Sequence, residues 1–161
     1  MRSWCKLANE VASQVRFEVT QIDRLFETYA DLLARAQQST PNNVEIAALS
    51  AVLHSFYSGL ENIFQLVAKR LDASLPRGPA WHRDLLAQMA EQRPQRVPVI
   101  SAPTARHLAE YLGFRHVFRH AYAFYLDWNE LQKLVLPLGD VWAQTRQEFQ
   151  SFLESLDPNE A

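Results

Sequence analysis

From Phe114 to Tyr122 the chain reads Phe-Arg-His-Val-Phe-Arg-His-Ala-Tyr, gathering Arg115, His116, Arg119, His120 and Tyr122 with no acid among them. Wound as a helix at roughly 100° per residue, Arg115, Arg119 and Tyr122 share one stripe, and His116 and His120 share the next. Phe114, Val117, Phe118 and Ala121 fall opposite, so one half of the helix is expected to pack and the other to present cations, imidazoles and a phenol. A charge cluster is ordinarily a solvated face. Solvated helices, however, interleave signs at i+3 and i+4, and this one does not, which suits it to a polyanion. Metal-free RNA cleavage needs a base for the 2′-hydroxyl proton, an acid for the leaving 5′-oxygen and cations for the crowded phosphorane. His120 can transfer the proton near neutral pH, and Arg115 keeps its charge and can grip a phosphate through two bonds. His116 and His120 also have the i, i+4 spacing of a helical metal pair. No cysteine or carboxylate lies nearby in sequence and the flanking arginines repel a dication, so no metal and no cofactor is expected.

The spacing Arg115-x4-His120-x-Tyr122 resembles the signature of the HEPN superfamily. Tyr111-Leu112-Gly113-Phe114-Arg115-His116 leading into Phe118-Arg119-His120-Ala121-Tyr122 is similar to the HepT-like toxins in particular. The resemblance covers about residue 45 onward and implies an up-and-down helical bundle. It also implies a metal-independent endoribonuclease toxin acting on tRNA or mRNA, with Arg115 and His120 catalytic and products ending in a 2′,3′-cyclic phosphate. Residues five apart on a helix point about 140° away from each other, so one helix does not converge them on one phosphorus. The resemblance implies a homodimer whose motif helices face across a two-fold axis and pool two copies of each. His116, where the family favours a polar residue, and Arg119 are candidate RNA-binding residues. For Tyr122 the residue-level reading is a helix-rim aromatic; the resemblance implies adenylylation by a partner nucleotidyltransferase antitoxin of the MNT type. A phosphate there would sit against Arg115 and block the RNA path. The competing readings are a non-catalytic HEPN module that binds nucleotide or that partner, and a purely structural helical dimer with a basic surface.

Glu61 lies on the apolar stripe shared by Tyr57 and Phe64, where a carboxylate seeks a cation; Arg115 or Arg119 is the expected partner, with Glu61 supporting the site. His54 reads as a hydrogen-bonded packing residue, His82 and His107 as surface or end-of-helix residues, and Trp128 and Trp142 as packing aromatics.

These residues must be held by a frame. With 161 residues, 48% of them hydrophobic and only 4 glycines, the chain is expected to form one domain over 1–161 with a real core. A net charge of −2 confines any nucleic-acid binding to a local patch, here Arg106 to His120. Cys5 is the only cysteine, which excludes an internal disulfide and fits a reducing cytoplasm. No apolar run resembles a signal core or a membrane span.

Spacings of three and four from Val11 through Val15, Val19, Ile22, Phe26 and Tyr29 to Leu33 predict a long first helix ending before Ser39. Asn43, with Glu45 in the first turn, is the expected N-cap of a second helix with Ile46, Leu49, Leu53, Phe56, Leu60, Ile63 and Val67 buried, closed by Lys69 and Arg70. A short third helix is expected from Trp81 to about Glu91, and Pro94 and Pro98 mark a connecting loop. Ser101 or Thr104 can cap the motif helix, Pro103 suits its first turn, and Gly113 is expected to bend it. Asp127-x-x-Glu130 has the form of a capping box opening a last helix, whose inner face runs Leu131, Leu134, Leu138, Val141, Thr145, Phe149, Phe152 and Leu156 and which Pro137 should kink. No strand alternation appears. The expectation is an all-α, up-and-down bundle of about five helices.

Overall fold

The structure is a computed structural model that describes residues 2–120 and 126–157, with the backbone alone described at Arg2, Arg119 and His120. Seven helical segments follow one another: α1 (Arg2–Thr28), α2 (Ala30–Ala36), α3 (Asn43–Arg70), α4 (Trp81–Met89), α5 (Ala102–His120), α6 (Trp128–Val135) and α7 (Leu138–Ser155). No strand occurs among the described residues; the only sheet-like feature there is an isolated bridge between Arg93 and Arg96. The segments reduce to five rods. α1 and α2 are one rod interrupted at Tyr29, where ψ of 17° loosens the helix while Tyr29 N–H still bonds Leu25 and its carbonyl still accepts from Leu33. α6 and α7 are likewise one rod bent at Pro137, whose missing N–H and ring forbid a regular turn. The all-α bundle with a kinked last helix is therefore what the chain forms.

α3 is the axle. It packs against α1, α4, α5 and α6, so its apolar surface extends past a single stripe. Val52, Tyr57, Phe64 and Ala68 are buried together with Ile46, Leu49, Leu53, Phe56, Leu60, Ile63 and Val67. Around Phe56, edge-to-face contacts gather Phe26, Tyr111 and Trp142 from three other rods, and Phe64 meets Phe149 of α7 in the same way. At Gly59 α1 packs closely on α3, since an added Cβ would lie 2.9 Å from Ile22.

The cap of α3 is Asn42, one residue before the expected Asn43. Its side chain accepts from Glu45 N–H at 2.9 Å and Glu45 Oε1 accepts from Asn42 N–H at 3.2 Å, a reciprocal box that needs the acid three residues after the cap. Asn42→Ala should lower stability by about 1 kcal/mol, and Asn43→Ala by a few tenths, in paired thermal or urea denaturation. Asp127 does cap α6, but it accepts from Asn129 N–H, and Glu130 pairs outward with Lys133 instead of closing a box.

The front of α5 is anchored by the last rod. Ser101 Oγ accepts from Thr104 N–H, making Ser101 the cap, and Glu148 of α7 accepts from Ser101 N–H and from Thr104 Oγ1 at 2.6 Å. Burial pushes the Glu148 carboxyl up, but bonds from Thr104, Gln144 and Ser101 outweigh it and leave its pKa below the ordinary value. α5 then runs without interruption through Gly113. Position 113 itself is open, since an added Cβ would meet no atom within 4 Å.

Candidate functional site

The inward stripe of α5 runs Leu108, Tyr111, Arg115 at spacings of three and four. Leu108 and Tyr111 are buried against α3, and Tyr111 Oη donates to Leu134 O at 2.8 Å. Arg115 therefore arrives at the next core-facing position and points inward, not onto an open basic face. Its side chain is only 11% exposed, which demands a counter-ion. Glu61, on the facing stripe of α3 and 7% exposed, supplies it: Arg115 Nη1 donates to Glu61 Oε1 at 2.6 Å. Arg115 is thus the partner of Glu61.

The second carboxylate oxygen is also taken. His82 Nδ1 lies 2.7 Å from Glu61 Oε2, so a helix-end histidine of α4 joins a three-residue chain across α3, α4 and α5. The Trp81 ring stacks on the His82 imidazole with centroids 3.5 Å apart, leaving it little freedom to rotate. Below this chain Tyr57 is wholly buried; burial first and then the Glu61 charge push its phenol pKa up, against a smaller opposite pull from Arg115. It stays a neutral phenol. Neither Tyr57 Oη nor Arg115 Nε has a hydrogen-bond partner among the described residues.

Above the chain opens a cavity of about 630 Å3 lined by His82, Arg83, Leu112, Gly113, Arg115 and His116, together with Pro79, Ala80 and Ala109. Its size lies within the range of about 300–1,000 Å3 usual for small-ligand clefts. Among the described residues, two arginines and two histidines line it, and no acid does. An anion fits those walls electrostatically, and the small side chains at positions 80, 109 and 113 leave room for a flat ring beside it.

His116 is exposed at the cavity wall, as its place on the outer stripe implies. The backbone of α5 carries Arg119 and His120 in its last turn. Tyr122 lies outside the described residues. Val117, expected to pack, is 55% exposed, because rotation of the helix to bury Arg115 turns position 117 outward. Phe114 and Phe118 do pack, stacked on each other at 5.9 Å, and Phe118 also meets the ring of His54 at 5.4 Å. His82, expected as a surface or end-of-helix residue, and Arg83 join the site although nothing near them in the chain marks them. The one available signal was Glu61 itself, a carboxylate on a core stripe with two oxygens to satisfy.

The HepT-like protein family matches residues 48–156, roughly two-thirds of the chain, spanning α3 through α7 and every residue of the Glu61–Arg115–His82 cluster. The chain belongs to this family, within the HEPN superfamily. Comparison with curated proteins and with solved structures finds no match to it. Among the described residues no helix is long and apolar enough to cross a membrane.

Proposed function

We propose that the protein is a metal-independent endoribonuclease toxin that cleaves tRNA or mRNA in the cytoplasm. The observation that carries this reading is Arg115 held on a buried carboxylate at the wall of a cavity lined by cations and imidazoles, in a chain of the HepT-like family. Arg115 has one terminal nitrogen on Glu61, and its fork offers further N–H groups to a phosphate oxygen. His120 is the proton-transfer residue, and His116 and Arg119 bind the RNA backbone.

The 2′-oxygen attacks phosphorus, the bond from phosphorus to the 5′-oxygen breaks, and the products are a 2′,3′-cyclic phosphate and a 5′-hydroxyl. One proton leaves the 2′-hydroxyl and one reaches the 5′-oxygen, so no metal or cofactor enters the balance. Because Arg115 and His120 diverge by about 140° on one helix, the active species is a homodimer in which two motif helices face each other. Adenylylation of Tyr122 by an MNT-type nucleotidyltransferase antitoxin then silences the toxin by setting a phosphate against the cationic site.

The test is incubation of wild type and His120→Ala with total bacterial RNA in EDTA, followed by analysis of the termini. Cutting by the wild type alone, with cyclic-phosphate ends, supports the nuclease. No cutting by unmodified, dimeric wild type would instead indicate a non-catalytic HEPN module that binds nucleotide or the nucleotidyltransferase.

A further inference from the structure

We infer that His82, oriented by Glu61, is the general base that takes the 2′-hydroxyl proton from RNA bound in the cavity beside Arg115. The inference rests on the ribonuclease reading and adds to it a catalytic group from α4, outside the motif helix.

The geometry is that of a base oriented by a carboxylate. Glu61 is bonded through one oxygen to Arg115 and through the other to His82 Nδ1, 2.7 Å away. A carboxylate paired with a guanidinium accepts and does not donate, so Nδ1 carries the hydrogen of that bond. In the neutral ring the lone pair is then on Nε2, the nitrogen left for substrate. A buried partner that fixes tautomer and ring orientation is the arrangement that makes an imidazole an effective base. The stack on Trp81 restrains the same ring from its face.

Position completes the argument. A histidine serving only to cover Glu61 could be buried with it. His82 instead keeps 28% of its side chain exposed and lines the same cavity wall as Arg115. Among the described residues, the charged or titratable groups that share this environment are Glu61 and Tyr57 from α3, Arg115 and His116 from α5, and its neighbour Arg83 on α4. Glu61 and the neutral phenol of Tyr57 apart, they are cations or imidazoles, suited to hold the phosphate whose 2′-hydroxyl neighbour Nε2 would deprotonate. The proton from the 2′-hydroxyl goes to His82 Nε2, the 2′-oxygen bonds to phosphorus, the bond to the 5′-oxygen breaks, and His120 of the second copy in the homodimer supplies the proton that oxygen takes. Base and acid are then different residues, so neither has to serve both ends of the scissile bond.

The experiment uses the full chain and a short RNA oligonucleotide in EDTA, with rates measured from pH 5 to 9 for wild type, His82→Asn and His120→Ala. Asparagine keeps an N–H for Glu61 at the place of Nδ1 but cannot accept a proton, so a merely structural role would be preserved. His82→Asn is expected to melt like wild type, to lower kcat about 10²–10⁴-fold with little change in KM, and to lose the acid-side limb of the pH profile. A second substrate with sulfur in place of the bridging 5′-oxygen leaves without protonation; it should restore cutting by His120→Ala and not by His82→Asn. Wild-type rates and an unchanged pH profile in His82→Asn would overturn the inference while leaving the nuclease standing, and so would rescue of His82→Asn by the sulfur substrate. Absence of cutting by the wild type would overturn the nuclease and this inference together.

Discussion

Glu61→Ala is expected to destabilise the fold by about 3–5 kcal/mol and to reduce RNA cleavage at least 100-fold, the range for stripping one partner from a buried ion pair and for losing an oriented base. Both effects have one origin. The carboxylate is 7% exposed, and its two oxygens hold Arg115 at 2.6 Å and His82 at 2.7 Å. Removing it leaves a guanidinium with 11% exposure and no counter-ion among the described residues, while the imidazole of α4 loses the contact that sets its tautomer. Glu61→Gln separates the two effects. Its amide oxygen can still accept from Arg115, but its amide nitrogen donates, so His82 Nδ1 must become the acceptor and the ring proton moves to Nε2. The Gln variant should keep more of its stability than the Ala variant in urea denaturation, yet cut RNA as poorly. A Gln variant with full cleavage would show that the orientation of His82 by a carboxylate is immaterial to the reaction.

The helices were legible because each has a strong local marker: the stripes of three and four in α1 and α3, the prolines at 94, 98 and 137, and Asp127 before α6. At the start of α3 the competing residue is adjacent and the balance is close. Asn42 and Asn43 are both good caps, and only the three-residue separation to Glu45 selects the first.

The site was legible in part. A carboxylate at position 61 required a cation, and Arg115 is that cation. The inward orientation of Arg115 is not implied by the motif read as a polyanion-binding face; it follows from the stripe that Leu108 and Tyr111 begin and that Arg115 continues into the core. His82 joins Glu61 from 21 residues away through the packing of α4 on α3, a tertiary relation that no spacing within either helix encodes. The cavity arises from the same packing, between the start of α4 and the middle of α5.

That packing depends on a second buried ion pair, and Asp72→Ala should expose the dependence by destabilising the protein by about 3–5 kcal/mol. Asp72 follows the end of α3, and Arg96 lies in the connection from α4 to α5; both side chains are fully excluded from solvent. Arg96 donates Nε to Asp72 Oδ1 at 2.6 Å and Nη2 to Oδ2 at 2.7 Å. Its remaining N–H groups reach the carbonyls of Gln88, Glu91 and Val97, and Gln88 itself donates to Asp72 and to Ser74 O. One guanidinium thereby joins the end of α3, the end of α4 and the loop that leads into the motif helix. Deleting Asp72 strands a buried charge, whereas replacing both residues by leucine removes the charge and costs less for that reason. The double variant should recover only part of the loss, because three backbone carbonyls would still lack the donors Arg96 gives them. Because α4 carries His82 and α5 carries Arg115, variants that remain folded should also show weakened cleavage, with the double variant the more active. Urea denaturation of the single and double variants checks the order, and an Asp72→Ala cost below about 1 kcal/mol would mean that apolar packing alone positions α4 against α5.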